Sequence, residues 1–79
     1  MTARAFVLIE TAVGSMTDVV CQMRDLPGIE RVDAVTGPYD VIATVDVQDM
    51  STIGDLITGS IHQIKGINRT VTCLAMAEK

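Results

Sequence analysis

The sequence predicts one α+β domain of element order β-α-β-β-α-β, with a four-stranded antiparallel sheet and two helices on one of its faces. Three observations predict it. The apolar period switches between about two and about 3.6 residues along the chain. Pro27-Gly28, Gly37-Pro38 and Lys65-Gly66 punctuate the chain where the period changes. Finally, Gly28-Ile29-Glu30-Arg31-Val32 is echoed 38 residues later by Gly66-Ile67-Asn68-Arg69-Thr70, each time a helix ending at glycine and a strand opening Ile-x-Arg. Residues 1–79 are read as a single domain, since that length leaves no room for a second.

Ala3 to Glu10 is apolar at both phases of a period-two pattern, which suits a strand covered on both faces. Met16, Val19, Val20 and Met23 then form a helical stripe, with Ser15 as N-cap and Asp18 at the third position of a capping box. Pro27-Gly28 ends this helix near Leu26. Ile29 to Thr36 mixes Glu30, Arg31 and Asp33 with apolar residues, as edge strands do to resist edge-to-edge pairing. The turn signal Gly37-Pro38-Tyr39-Asp40 joins it to a third strand, Asp40 to Val47. Asp49 or Ser51 caps a second helix whose stripe runs Ile53, Leu56, Ile57, Ile61 and Ile64 and which ends at Lys65-Gly66. Ile67 to Met76 forms the last strand. Right-handed crossovers in both halves give the sheet order 4-1-3-2, the ferredoxin-like arrangement. Strands one and three are then central, and their second apolar face calls for a partner sheet.

Composition supports self-association and excludes other roles. Hydrophobic residues make up 48% before glycine is counted, at the upper end of the roughly 45–50% that ordinary domains reach with glycine included. A domain this short buries only about 60% of its unfolded surface, so a homo-oligomer is expected. The formal charge of −4, without a Lys/Arg cluster, argues against direct nucleic-acid binding. The longest apolar run, Ala5 to Ile9, is far short of a membrane span or a signal-peptide core. A cytoplasmic protein is expected, with Cys21 and Cys73 as reduced thiols packed like small apolar groups.

Phosphate-loop, dinucleotide and zinc motifs are missing from the sequence, and no catalytic residue, metal ligand or cofactor is predicted. The single histidine, His62, falls opposite Ile53 on the second helix and reads as a surface residue; Ser60, two positions away, does not face it. One Phe and one Tyr are too few for a base-stacking platform. What remains is the turn Gly37-Pro38-Tyr39-Asp40 and the run Asn68-Arg69-Thr70-Val71-Thr72, which the topology brings to the same end of the sheet. Two readings stand. An aspartate beside turn N–H groups offers an anion for an ammonium and donors for a carboxylate, the equipment for holding a free amino acid. Alternatively, Gly37 supplies a positive φ, Pro38 stiffens the turn, Asp40 accepts turn amides and the threonines are strand formers.

The hairpin Val35-Thr36-Gly37-Pro38-Tyr39-Asp40-Val41-Ile42, followed by Ile64-Lys65-Gly66-Ile67-Asn68-Arg69-Thr70-Val71-Thr72, resembles the effector-binding (RAM) domain of the Lrp/AsnC, or feast/famine, transcriptional regulators. The likeness runs from Ala5 onward. It implies a dimer joined through its sheets into an α/β barrel, further assembly into a higher oligomer, and an amino acid or related small-molecule effector bound between dimers. The positions that match the family's binding motifs are Gly37, Tyr39, Asp40, Thr70 and Thr72. The regulators carry a DNA-binding helix-turn-helix ahead of this domain, whereas here only Met1 and Thr2 precede strand one. The resemblance is therefore to a stand-alone effector domain that modulates transcription indirectly, through assembly with a partner such as a full-length Lrp/AsnC regulator. An ACT-like amino-acid sensor and a small dimeric α/β-barrel enzyme share the topology. Ala12-Val13-Gly14 leaves the first open, and the scarcity of aromatic and histidine groups weighs against the second.

Overall fold

The computed structural model describes residues 3–75. Strand β1 (Ala3–Thr11) leads to helix α1 (Met16–Arg24), the hairpin β2 (Ile29–Ala34) and β3 (Val41–Val47), helix α2 (Met50–Gly59), a 3₁₀ turn (Ile61–Gln63) and β4 (Ile67–Leu74). The sheet is antiparallel in the order β2-β3-β1-β4, which is the predicted topology read from the other edge. Met76, placed in the last strand by the sequence, lies outside the described residues.

Alternation along the central strands sorts the side chains between two faces. Ala5, Val7 and Ile9 of β1 and Val41, Ala43 and Val45 of β3 are fully buried; with Val32 they form the sheet's contribution to the core. Val19 and Met23 of α1, Ile53 and Leu56 of α2, and Ile61 and Ile64 beyond it close over them. Both helices thus lie on one face, α1 over β2 and β3 and α2 over β1 and β3. The opposite face carries Phe6, Leu8, Ile42 and Val71, brought together by the pairings Leu8↔Ile42 and Leu8↔Val71. Phe6 remains 38% exposed there. Gly28 and Gly66, the two halves of the sequence echo, both adopt positive φ, 89° and 98°.

Three expectations need correction, and one alternative is resolved. The stripe through Ile61 and Ile64 is not one helix: α2 stops at Gly59, and a 3₁₀ turn carries Ile61 into the core at full burial. The Ser15–Asp18 capping box does not form, because Ser15 has helical rather than extended backbone and its side chain makes no capping bond. It lies instead where a Cβ on Gly66 would fall, 2.7 Å from the Ser15 Cβ. Of the two caps offered for α2, Asp49 is the one used, accepting the N–H of Thr52 at 3.1 Å. Cys21 and Cys73 are free thiols as expected, but both are exposed rather than packed.

Candidate functional site

The end of the sheet formed by the β2–β3 hairpin is held together by Asp40. Its N–H donates to the Ile9 carbonyl at 2.9 Å, and its own carbonyl accepts the Val35 N–H at 2.9 Å. Its Oδ2 accepts the Thr11 N–H at 2.8 Å and the Thr11 hydroxyl at 3.2 Å. The carboxylate therefore does not serve turn amides, as simple turn chemistry would have it. It reaches across to the end of β1, where the β1–β4 register shifts between Glu10 and Thr11. Oδ1 makes no hydrogen bond with another described residue and is the oxygen available to an incoming ammonium.

Gly37 turns the hairpin with φ of 134°, in open space: a Cβ built there would meet nothing within 4 Å. Two residues on, Tyr39 reaches the start of β4. The Arg69 Nη2 donates to the Tyr39 hydroxyl at 3.2 Å, with the guanidinium carbon 5.9 Å from the ring centre, inside cation–π range. Arg69 stands opposite Glu10 in the β1–β4 register, so this cation sits between a carboxylate-bearing strand and the hairpin. The next residue, Thr70, points to the other face by strand alternation. There its hydroxyl lies 3.4 Å from His62 Nε2 on the 3₁₀ turn. Ile9 pairs with both Val41 and Thr70, which places Asp40 and Thr70 two strands apart, about 10 Å at the usual spacing.

Tyr39, Asp40 and Thr70 thus gather at one end with Gly37 at its tip, whereas Thr72 does not. Thr72 pairs with Val7, two residues and about 7 Å further along the sheet, on the helix-side face where β4 is left uncovered and exposed. Three residues absent from the predicted set belong to this end: Thr11, Arg69 and His62. Arg69 lies within the polar run that the sequence singles out. Thr11 carries no local signal, because its partner is 29 residues away. The apolar spacing puts His62 on a continuous helix, and the break after Gly59 turns it toward β4. The arrangement offers a guanidinium, a partly engaged carboxylate, an imidazole and hydroxyls, groups able to hold the two charges of a small zwitterion. No cluster of metal-ligating side chains occurs among the described residues.

The profile of the Lrp/AsnC ligand-binding domain family matches residues 4–79. The chain belongs to that family. Among solved structures it superposes with a TM-score of 0.93 on TTHA0845 from Thermus thermophilus, 34% identical, with 98% of this chain and 96% of that one covered. An uncharacterised helix-turn-helix transcriptional regulator of Pyrococcus furiosus is 30% identical over 74 residues, covering 90% of this chain and 49% of the regulator. A homocitrate synthase of Sulfurisphaera tokodaii is 28% identical over 60 residues, 76% of this chain but 13% of the enzyme. This Lrp/AsnC domain spans about half the length of the curated regulators it matches. It is an effector-binding domain of the regulatory kind, and no helix among its described residues is long and apolar enough to cross a membrane.

Proposed function

We propose that this Lrp/AsnC domain senses a free amino acid, or a close relative of one, at the hairpin end of its sheet and passes occupancy on as a change in assembly. The observation that carries this is the meeting, at one end of the sheet, of Tyr39 and Asp40 from the hairpin with Arg69 from β4, while Thr70 offers its hydroxyl at the same end from the helix-side face. An α-carboxylate is served by the Arg69 guanidinium and an α-ammonium by Asp40 Oδ1, each a charge-assisted contact. Gly37, with open space around it, completes the lip of the site, and Thr72 lies furthest from the ligand. The site is open in a single chain, and a second dimer laid against it supplies the missing wall.

The apolar outer face of Phe6, Leu8, Ile42 and Val71 fits a face-to-face dimer, the first step toward a barrel and a higher oligomer. A structural relative from Neisseria meningitidis, a transcriptional regulator, was captured as a complex with L-methionine, which supports an amino acid as the class of effector. The module also recurs beside a DNA-binding half in regulators and within a small share of a homocitrate synthase. A domain shared by regulators and by a small part of a synthase fits a ligand-binding module, and we read it as a sensor with no reaction of its own. It works in the cytoplasm, as a homo-oligomer or joined to a full-length Lrp/AsnC regulator, and has no nucleic-acid contact of its own.

The test is a thermal-shift screen of all twenty amino acids on the purified chain. A ligand at one hundred times its Kd adds about 2.7 kcal/mol to the native state, which moves the Tm of so small a domain by about 10 °C or more. One or a few amino acids are expected to do this, with Arg69→Ala removing the shift. A screen in which none shifts the Tm overturns the reading.

A further inference from the structure

We propose that the cleft beside α2, at the end of the sheet opposite the hairpin, is a second and separate binding site, for a small primary amine with a short apolar tail. The cleft has a volume of about 310 Å³, at the lower limit of the roughly 300–1,000 Å³ common for small-molecule sites, so a compact ligand fits. It is lined by Pro27, Gly28, Val47 and Leu56 together with Thr52, Asp55 and Ser60; Leu56 is buried, while Thr52 and Asp55 are exposed. Thr52 and Leu56, four residues apart, line one side of α2 with Asp55 next to them, and Ser60 follows just past the helix end.

Glycine at position 28 keeps the cleft open. A Cβ there would stand 3.0 Å from the Val47 Cγ1 and 3.6 Å from the Leu56 Cδ2, filling the space between them. Gly28 also holds φ of 89°, so the turn from α1 to β2 and the room beneath α2 depend on the same residue. The lining is mostly apolar, which suits a hydrocarbon tail.

Charge selects the head group. The Asp55 carboxylate makes no hydrogen bond or ion pair with another described residue, and no lysine, arginine or histidine lines the cleft. The Asp55 carboxylate and the Thr52 hydroxyl oxygen, one turn apart on α2, are able to accept from the same ammonium, whereas Ser60, about 12 Å further along the axis from Thr52, bounds the far end of the cleft. A carboxylate-bearing ligand meets only repulsion here, in a chain of net charge −4. The hairpin end has Arg69 and this cleft has no cation, so the two ends of one sheet distinguish an amino acid from the corresponding amine.

Isothermal titration calorimetry on the intact chain tests this with n-butylamine, n-hexylamine, hexanoate and norleucine, which share a tail chemistry and differ in head group. Hexylamine is expected to bind, tighter than butylamine by about fourfold for each added methylene. Hexanoate is expected to give no heat. Norleucine is expected to give none that Ser60→Phe removes. Asp55→Asn should weaken hexylamine at least tenfold, and Ser60→Phe, which fills the cleft from its far end, should abolish binding. Asp40→Asn and Arg69→Ala should leave hexylamine binding unchanged, so the result stands or falls apart from that of the hairpin site. The proposal is overturned if hexylamine gives no heat, if hexanoate binds as tightly, or if either cleft variant, shown by circular dichroism to be folded, binds hexylamine like the parent chain.

Discussion

Asp40 and Thr11 are joined twice: one carboxylate oxygen of Asp40 accepts both the backbone N–H and the hydroxyl of Thr11, at 2.8 and 3.2 Å. Through its own backbone Asp40 also holds Ile9 and Val35, so a single residue ties together the ends of β1, β2 and β3. In the function proposed above, an effector on the other carboxylate oxygen of Asp40 would pull on this junction of three strands.

Replacing Asp40 by alanine leaves the part-buried Thr11 N–H without its acceptor, at a cost of about 1–3 kcal/mol. Asparagine keeps a side-chain oxygen in the same place and should cost clearly less. Urea denaturation monitored by circular dichroism orders the three proteins as parent, Asp40→Asn, Asp40→Ala; equal midpoints for parent and alanine variant would contradict the junction. Asp40→Asn, which removes the charge while keeping the clasp, is accordingly the variant in which to measure effector affinity.

Gly66 and Gly37 both hold positive φ, but their surroundings differ. A Cβ on Gly66 collides with the Ser15 Cβ at 2.7 Å and presses on the Val19 Cγ2 at 3.3 Å, while one on Gly37 meets nothing. Gly37→Ala should incur only the left-handed backbone penalty, about 1–2 kcal/mol. Gly66→Ala adds overpacking of about 1–3 kcal/mol more. Thermal melts of the pair should separate them by several degrees, with Gly66→Ala the lower.

The order of elements, the central position of β1 and β3 and the two positive-φ glycines that lead into β2 and β4 are all legible in the sequence, because each is written in local period and in residues with restricted backbone choices. The hairpin end is legible as a place, since topology alone brings Tyr39 and Asp40 near Thr70. Its wiring is not: Thr11 meets Asp40 through a side-chain bond just beyond the last β1–β3 pair, at a sequence separation of 29, and Arg69 meets Tyr39 at a separation of 30. The sequence overextends the second helix because Ile61 and Ile64 continue a helical spacing that a 3₁₀ turn satisfies as well. Gly59-Ser60, a poor helix-forming pair, is the available hint.

Ile61 offers a check on that correction. It is fully buried although it lies outside α2, so Ile61→Ala should cost about 2–5 kcal/mol, as a core truncation does. The neighbouring His62→Ala is expected to leave the melting temperature nearly unchanged, since its side chain is exposed.

Asp49 makes the domain sensitive to acid. Hydrogen bonds from the Ser51 hydroxyl first, and from the Thr52 N–H next, hold its carboxyl below the ordinary 3.8. A carboxyl with a lowered folded value stabilises the native state above its unfolded value, and that contribution is lost as pH falls from about 4 through the folded value. Asparagine caps a helix comparably but does not titrate. Between about pH 5 and pH 2.5 the melting temperature of the parent should therefore fall further than that of Asp49→Asn.

The outer face of the sheet is the place to break assembly without touching the core. Leu8 is flanked there by Ile42 and Val71, while its neighbours Val7 and Ile9 point into the helix-side core. Leu8→Glu puts a carboxylate in the middle of the apolar patch. In a lone subunit that carboxylate faces water and costs little, whereas in a face-to-face dimer it is buried without a counter-ion, at a cost of several kcal/mol. Sedimentation velocity should show the parent as a dimer or larger at micromolar concentration and the variant shifted to the 8.5 kDa monomer with its circular dichroism retained. A Leu8→Glu protein that sediments like the parent would place the subunit contact elsewhere on the molecule. Because the effector site is completed by neighbouring subunits in the function proposed above, the same variant should also lose its thermal response to the amino acid, although Asp40, Tyr39, Arg69 and Thr70 are all intact.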